Sequence, residues 1–148
     1  SDMTVKVRQS FTPTLNTAGD YELLLPVALA APDDVNRIVT STPFTQSGNT
    51  CIIRNRLSST TLEIFDSTNG VVIQDNIGSY NQTTGKIVLN GFGSSVTAFN
   101  GESIDISVTP ANQNTIKPLR NYIINLDTAV TSAAGTVDFQ NTTTTLTT

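Results

Sequence analysis

The most constraining feature of this chain is a series of short runs in which apolar and polar residues alternate, each cut off by proline, glycine or asparagine. Ile104, Ile106 and Val108 alternate with Asp105 and Ser107, the period of a strand with one buried face. Pro110, Ala111 and Asn112 stop that run, because proline has no amide hydrogen for a ladder and asparagine bonds its own backbone in turns. Pro118 biases Lys117 toward extended geometry. Tyr122, Ile124 and Leu126 then form a second alternating face, with Arg120 beside it. Ile104 to Asp127 therefore reads as strand, turn, extended link and strand.

The same grammar runs through the rest of the chain. Strands are expected over Met3–Phe11, Tyr21–Val27, Arg37–Thr42, Cys51–Leu57, Thr61–Asp66, Lys86–Asn90 and Asn121–Asp127, with a last one at Thr136–Gln140. Within Thr61–Asp66, Leu62, Ile64 and Asp66 face one way and Thr61, Glu63 and Phe65 the other. Asn69-Gly70 signals a tight turn, so Leu62–Gln74 reads as a hairpin. Ile77–Tyr80 and Lys86–Asn90 make a second hairpin, with Gly85 supplying a positive φ. Gln46–Thr50 reads as a turn, and Gly91 through Gly101 as a polar loop. Ala28–Ala31 is compatible with a helical fragment. Pro32-Asp33-Asp34 suits a helix start, so one turn of helix is expected around Asp33–Asn36. Many short strands separated by frequent turn signals describe an all-β, antiparallel, β-sandwich-like domain with at most short helical turns. At 148 residues one domain is expected, spanning 1–140, with the threonine-rich 141–148 as a flexible tail or linker.

Composition narrows the chemistry. The chain has no histidine and a single cysteine, Cys51, so zinc sites of His and Cys, Ser-His-Asp systems and intrachain disulfides are out of reach. Cys51 reads as a buried structural thiol. The formal net charge is -4 and the eight basic residues are scattered, which argues against a phosphate-tracking surface and so against a nucleic-acid partner. No apolar run approaches the roughly 20 residues of a membrane helix. Ser1-Asp2-Met3 reads as a cloning junction, and no signal peptide is expected.

Three carboxylate arrangements invite an enzymatic reading: Asp33-Asp34, Asp66 with Asp75, and Glu102 with Asp105. Each is read as solvated turn or strand-end acids, because no motif supports a catalytic pair. No Asp-x-Asp-x-Asp-Gly run offers calcium ligands. Thr83-Thr84-Gly85-Lys86 lacks the first glycine and the helix of a phosphate loop. Asn81 and Asn141 head sequons that are read as chance matches. Tyr21, Tyr80 and Tyr122 read as core or interface aromatics rather than a sugar platform. No enzyme activity, cofactor or metal is expected.

Two segments resemble a known family. One runs from Arg56 through Asp66 into Gly78–Phe92; the other runs from Pro110-Ala111-Asn112-Gln113 through Ile116-Lys117-Pro118-Leu119-Arg120-Asn121. Together they resemble the carboxy-terminal region of the baseplate wedge subunit of T-even-like contractile-tailed phages, in cyanophage-type versions. The resemblance covers roughly the last two thirds of the chain and does not decide Met3–Thr50. It implies a structural virion protein located in the phage tail baseplate and made in the host cytoplasm. It further implies self-association, contact with other wedge proteins and a longer parent protein; charge and hydropathy, as above, lead to no nucleic acid and no membrane among the expected partners. The alternative is a carbohydrate-binding or adhesin-like β-sandwich of a tail fibre or cell surface, for which 6% aromatics and no tryptophan are poor equipment. Pro118, Leu119, Arg120 and Asn121 are the candidate interface or brace. The Arg120 guanidinium has five donors in a rigid fork, suited to bracing its own loop or to a subunit contact.

Overall fold

The computed structural model describes residues 5–112 and the strand segments 130–132 and 136–138. Within them the chain is all β, every strand pair is antiparallel and no helix forms. The strands are β1 (Val7–Phe11), β2 (Gly19–Leu24), β3 (Val39–Ser41), β4 (Phe44–Gln46), β5 (Asn49–Asn55), β6 (Thr61–Asp66), β7 (Val71–Tyr80), β8 (Lys86–Phe92), β9 (Val96–Phe99) and β10 (Ile104–Val108). A separate pair, β11 (Val130–Ser132) and β12 (Thr136–Asp138), is joined in antiparallel register. The expected strand Asn121–Asp127, the candidate residues Pro118, Leu119, Arg120 and Asn121, and the tail 141–148 lie outside the described residues.

Ten strands form one sheet in the order β1-β10-β3-β5-β6-β7-β8-β2, with β4 paired to β5 and β9. The expected antiparallel domain is therefore present, and its walls belong to one continuous sheet that curls nearly into a barrel. Curling follows from strand twist and from bulges that bend the ladder. The β6–β7 register shifts twice, between Leu62 and Ile64 and again between Ile64 and Phe65. The seam between β1 and β2 is filled by side chains. The Phe11 and Tyr21 ring centroids lie 5.2 Å apart, and the Thr14 amide donates to the Tyr21 hydroxyl at 3.1 Å.

Alternation explains the interior. Leu62 and Ile64 of β6, Ile87 and Leu89 of β8, and Ile104 and Ile106 of β10 are all essentially inaccessible. Each such side chain contributes about 1.5–3 kcal/mol of hydrophobic burial. At one end Phe92 sits among Phe11, Tyr21 and Phe44, with centroids 5.9, 6.5 and 5.3 Å away, in the edge-on geometries that aromatic quadrupoles favour.

Three local expectations are corrected. Asp33–Asn36 is a bend and not a turn of helix. Asp33 Oδ1 accepts the amides of Val35 at 2.8 Å and Asn36 at 2.6 Å, and this local capture competes with helix formation. The loop expected through Gly101 contains β9, and the turn expected at Gln46 follows a strand, β4, that pairs with β9. Both strands are short, and neither shows clear alternation. Both expected hairpins form, and they share one continuous strand, Val71–Tyr80. Its first half pairs with β6 and its second half with both β6 and β8.

Candidate interaction face

The outer surface of β5, β6 and β7 brings together residues that alternation directs away from the core. Ile52 of β5 pairs with Phe65 of β6, and Phe65 pairs with Val72 of β7. Directly paired residues share a face, so these three make an apolar row across three strands. Ile52 and Phe65 are half-buried, while Val72 is 42% exposed.

A charged cluster borders the row. Arg54 pairs with Glu63 across the β5–β6 ladder. Its Nε donates to Glu63 Oε2 at 2.8 Å, and its guanidinium carbon stands 3.8 Å from the Phe65 ring centroid. The one guanidinium is thus held by a carboxylate and by an aromatic face. Arg37 reaches the same Glu63 oxygen at 3.5 Å and donates to the Asn55 carbonyl at 2.9 Å. Glu63 itself is only 5% exposed. Two guanidinium groups and one carboxylate leave a surplus positive charge beside an apolar row, on a chain of net charge -4. Burial, and then the neighbouring Arg54 charge, pull the Arg37 pKa below its ordinary value, while Glu63 opposes the shift.

Asn55 positions Arg37. Its side chain is fully buried, and Oδ1 accepts the amides of Ile38 at 2.6 Å and Val39 at 3.0 Å. Its Nδ2 donates to the carbonyls of Arg56 at 2.9 Å and Ser59 at 3.1 Å. A single amide therefore ties the segment after Arg37 to the β5–β6 hairpin, with its bonding capacity used.

The residues singled out in the sequence fall elsewhere. Asp66 is engaged in its own turn, accepting the amides of Thr68 and Asn69 and the side-chain amides of Asn69 and Asn49. Its carboxyl pKa is held below the ordinary range, chiefly by the Asn69 side chain. Asp75 is exposed on β7. Asp105 is taken by Ser10 at 2.7 Å, by Ser103 at 3.1 Å and more loosely by Arg8 at 3.8 Å. Cys51 is inaccessible, and burial together with the Asp66 charge pushes its thiol pKa up. Tyr80 is buried, donates to the Ala30 carbonyl at 3.0 Å and has its phenol pushed up to about 12, first by burial and then by Asp33. Tyr21 and Tyr80 are structural aromatics, and Tyr122 lies outside the described residues.

Arg37, Arg54, Glu63 and Phe65 were not singled out in the sequence. Arg54 and Glu63 were within reach: a hairpin turning at Ser58-Ser59 sets them opposite each other. Arg37 was not, because its approach depends on the buried Asn55 amide. Compared with known protein families, with curated proteins and with solved structures, the chain matches none.

Proposed function

We propose that this chain is a structural assembly domain of a phage tail baseplate wedge protein, and that it works by making protein contacts through the outer face of β5, β6 and β7. The observation that carries the reading is the Ile52–Phe65–Val72 row bordered by Arg54, Glu63 and Arg37. Exposed apolar rows with a polar rim are how protein interfaces are built, and arginine is enriched at their energetic centres. The resemblance of Arg56–Asp66, Gly78–Phe92 and Pro110–Asn121 to the wedge family supplies the choice of assembly. The reading assigns no catalytic step. The link at Pro118, Leu119, Arg120 and Asn121 is a second proposed contact, addressed by Arg120→Ala.

The test is binding of the purified chain to the other wedge proteins encoded beside it, with Val72→Asp and Phe65→Ser as variants. Position 72 is exposed, so the first variant is expected to fold normally and lose binding. Full binding by both variants overturns the role of this face. Turnover of bacterial surface glycans by the unaltered chain overturns the assembly reading itself.

A further inference from the structure

Asparagine followed by glycine occurs three times among the described residues, at Asn69-Gly70, Asn90-Gly91 and Asn100-Gly101. The dipeptide carries a chemistry besides turn formation. The glycine backbone nitrogen can attack the asparagine side-chain carbon, because no glycine side chain obstructs it. The sequence offers three equal sites; the fold makes them unequal.

At Asn69-Gly70 the nucleophile and the electrophile are both held. The Gly70 amide donates to the Asp66 carbonyl at 2.8 Å, and Asn69 Nδ2 donates to Asp66 Oδ2 at 2.9 Å. At Asn90-Gly91 both residues lie within β8, and the Gly91 amide donates to Asp20 Oδ1 at 2.8 Å. Asn100 and Gly101 lie in the turn between β9 and β10, and both are exposed. Among the described residues the Gly101 amide has no acceptor, and the space around its Cα is open.

We infer that Asn100 is a site of spontaneous backbone-assisted deamidation, and that Asn69 and Asn90 are protected from it by the fold. The Gly101 nitrogen bonds to Asn100 Cγ and the Cγ–Nδ2 bond breaks. Ammonia leaves, taking the proton that the Gly101 nitrogen gives up, and a five-membered succinimide remains. Water then opens the ring at either carbonyl, giving aspartate or isoaspartate. Either product places a new carboxylate next to Glu102, whose backbone carbonyl accepts the Thr12 hydroxyl at 3.1 Å. The isoaspartate product also lengthens the backbone of the β9–β10 turn.

The test is incubation of the full chain at mildly alkaline pH, with peptide mass spectrometry that resolves the three asparagines by fragmentation. In the folded chain Asn100 is expected to convert at least about tenfold faster than Asn69 or Asn90, the factor that one engaged amide hydrogen bond is worth. In denaturing urea the three rates are expected to converge. Asp20→Ala, at an exposed position, removes the acceptor of the Gly91 amide and is expected to speed conversion at Asn90 alone. Equal rates in the folded chain, or faster conversion at Asn69 or Asn90, overturn the inference. So does a spread among the three sites that persists in urea, because the protection is then not the work of the fold.

Discussion

Gly78 lies so close to Val88 that any side chain at position 78 would overlap the Val88 carbonyl oxygen. The contact occurs where β7 belongs to two ladders at once, Gly78 pairing with Leu62 on one side and Leu89 on the other. Its φ of 149° is one that residues with a side chain rarely adopt. At this point one strand serves the β6 and β8 ladders together, with the β8 backbone closely packed against it.

Gly78→Ala is expected to cost about 3 kcal/mol or more, because strain and overlap with fixed backbone add. Gly48→Ala is the control. It also has positive φ, 82°, but open space around it, so about 1 kcal/mol is expected from strain alone. Urea midpoints at constant slope measure both. Equal costs would show that the close approach to Val88 does not matter.

Asn55→Ala leaves two buried amides and two carbonyls without their partner, and an expected loss of about 3 kcal/mol follows. Asn55→Asp is expected to be at least as damaging at neutral pH, because an oxygen then faces the carbonyls of Arg56 and Ser59. Its deficit should shrink in acid, where a protonated carboxyl regains one donor. Denaturation of both variants at two pH values decides this.

Stability is expected to fall on acidification through the titration of Asp33 and Asp66. The Asn36 and Val35 amides lower the Asp33 pKa, and Asn69 leads in lowering that of Asp66. The folded state thus binds these protons more weakly than the unfolded chain does. The stabilisation is fully present above the unfolded value of about 4 and is lost as pH falls through the lower folded values. Asp66→Asn should flatten this acid limb, and an unchanged limb would contradict the assignment.

Glu63→Gln removes the carboxylate that Arg37 and Arg54 share and leaves two guanidinium groups facing each other. A loss of about 2 kcal/mol is expected, below the range for fully buried pairs because both arginines reach solvent. Arg54→Lys is expected to cost less than that and yet to lose the stack on Phe65. Thermal unfolding of the two variants, with equal salt, gives the comparison.

Cys51 is the only thiol in the chain, and it is buried with a raised pKa. Modification by a thiol reagent is expected to track global unfolding, since the thiolate is the reactive form and must reach solvent. Rapid labelling of the folded chain would show that β4 or β5 opens locally.

Much of the fold was legible because a period of two survives without knowledge of partners. Thr61–Asp66 and Ile104–Val108 form with the expected bounds and faces. Gly85 takes the positive φ that the second hairpin needs. The phrases that failed were those without periodicity or with competing local chemistry. Phe44–Gln46 and Val96–Phe99 become strands by pairing with each other across a long stretch of chain. Acids suit a helix start, yet the Asp33 side chain caps a bend instead.

The sequence by itself determined that the chain is antiparallel β and which side of Thr61–Asp66 and of Ile104–Val108 faces inward, because alternation and turn chemistry are local properties. The tertiary structure decided what stands beside what. It curled ten strands into one nearly closed sheet, with bulges in β7 and no side chain at Gly78, where that strand serves two ladders. It joined Arg37 to Glu63 through Asn55, and Phe65 to Val72 through a shifted register. It also separated three identical Asn-Gly pairs by giving two of the glycine amides acceptors. Each of these depends on contacts between residues distant in the chain, and such contacts arise only when the chain is folded.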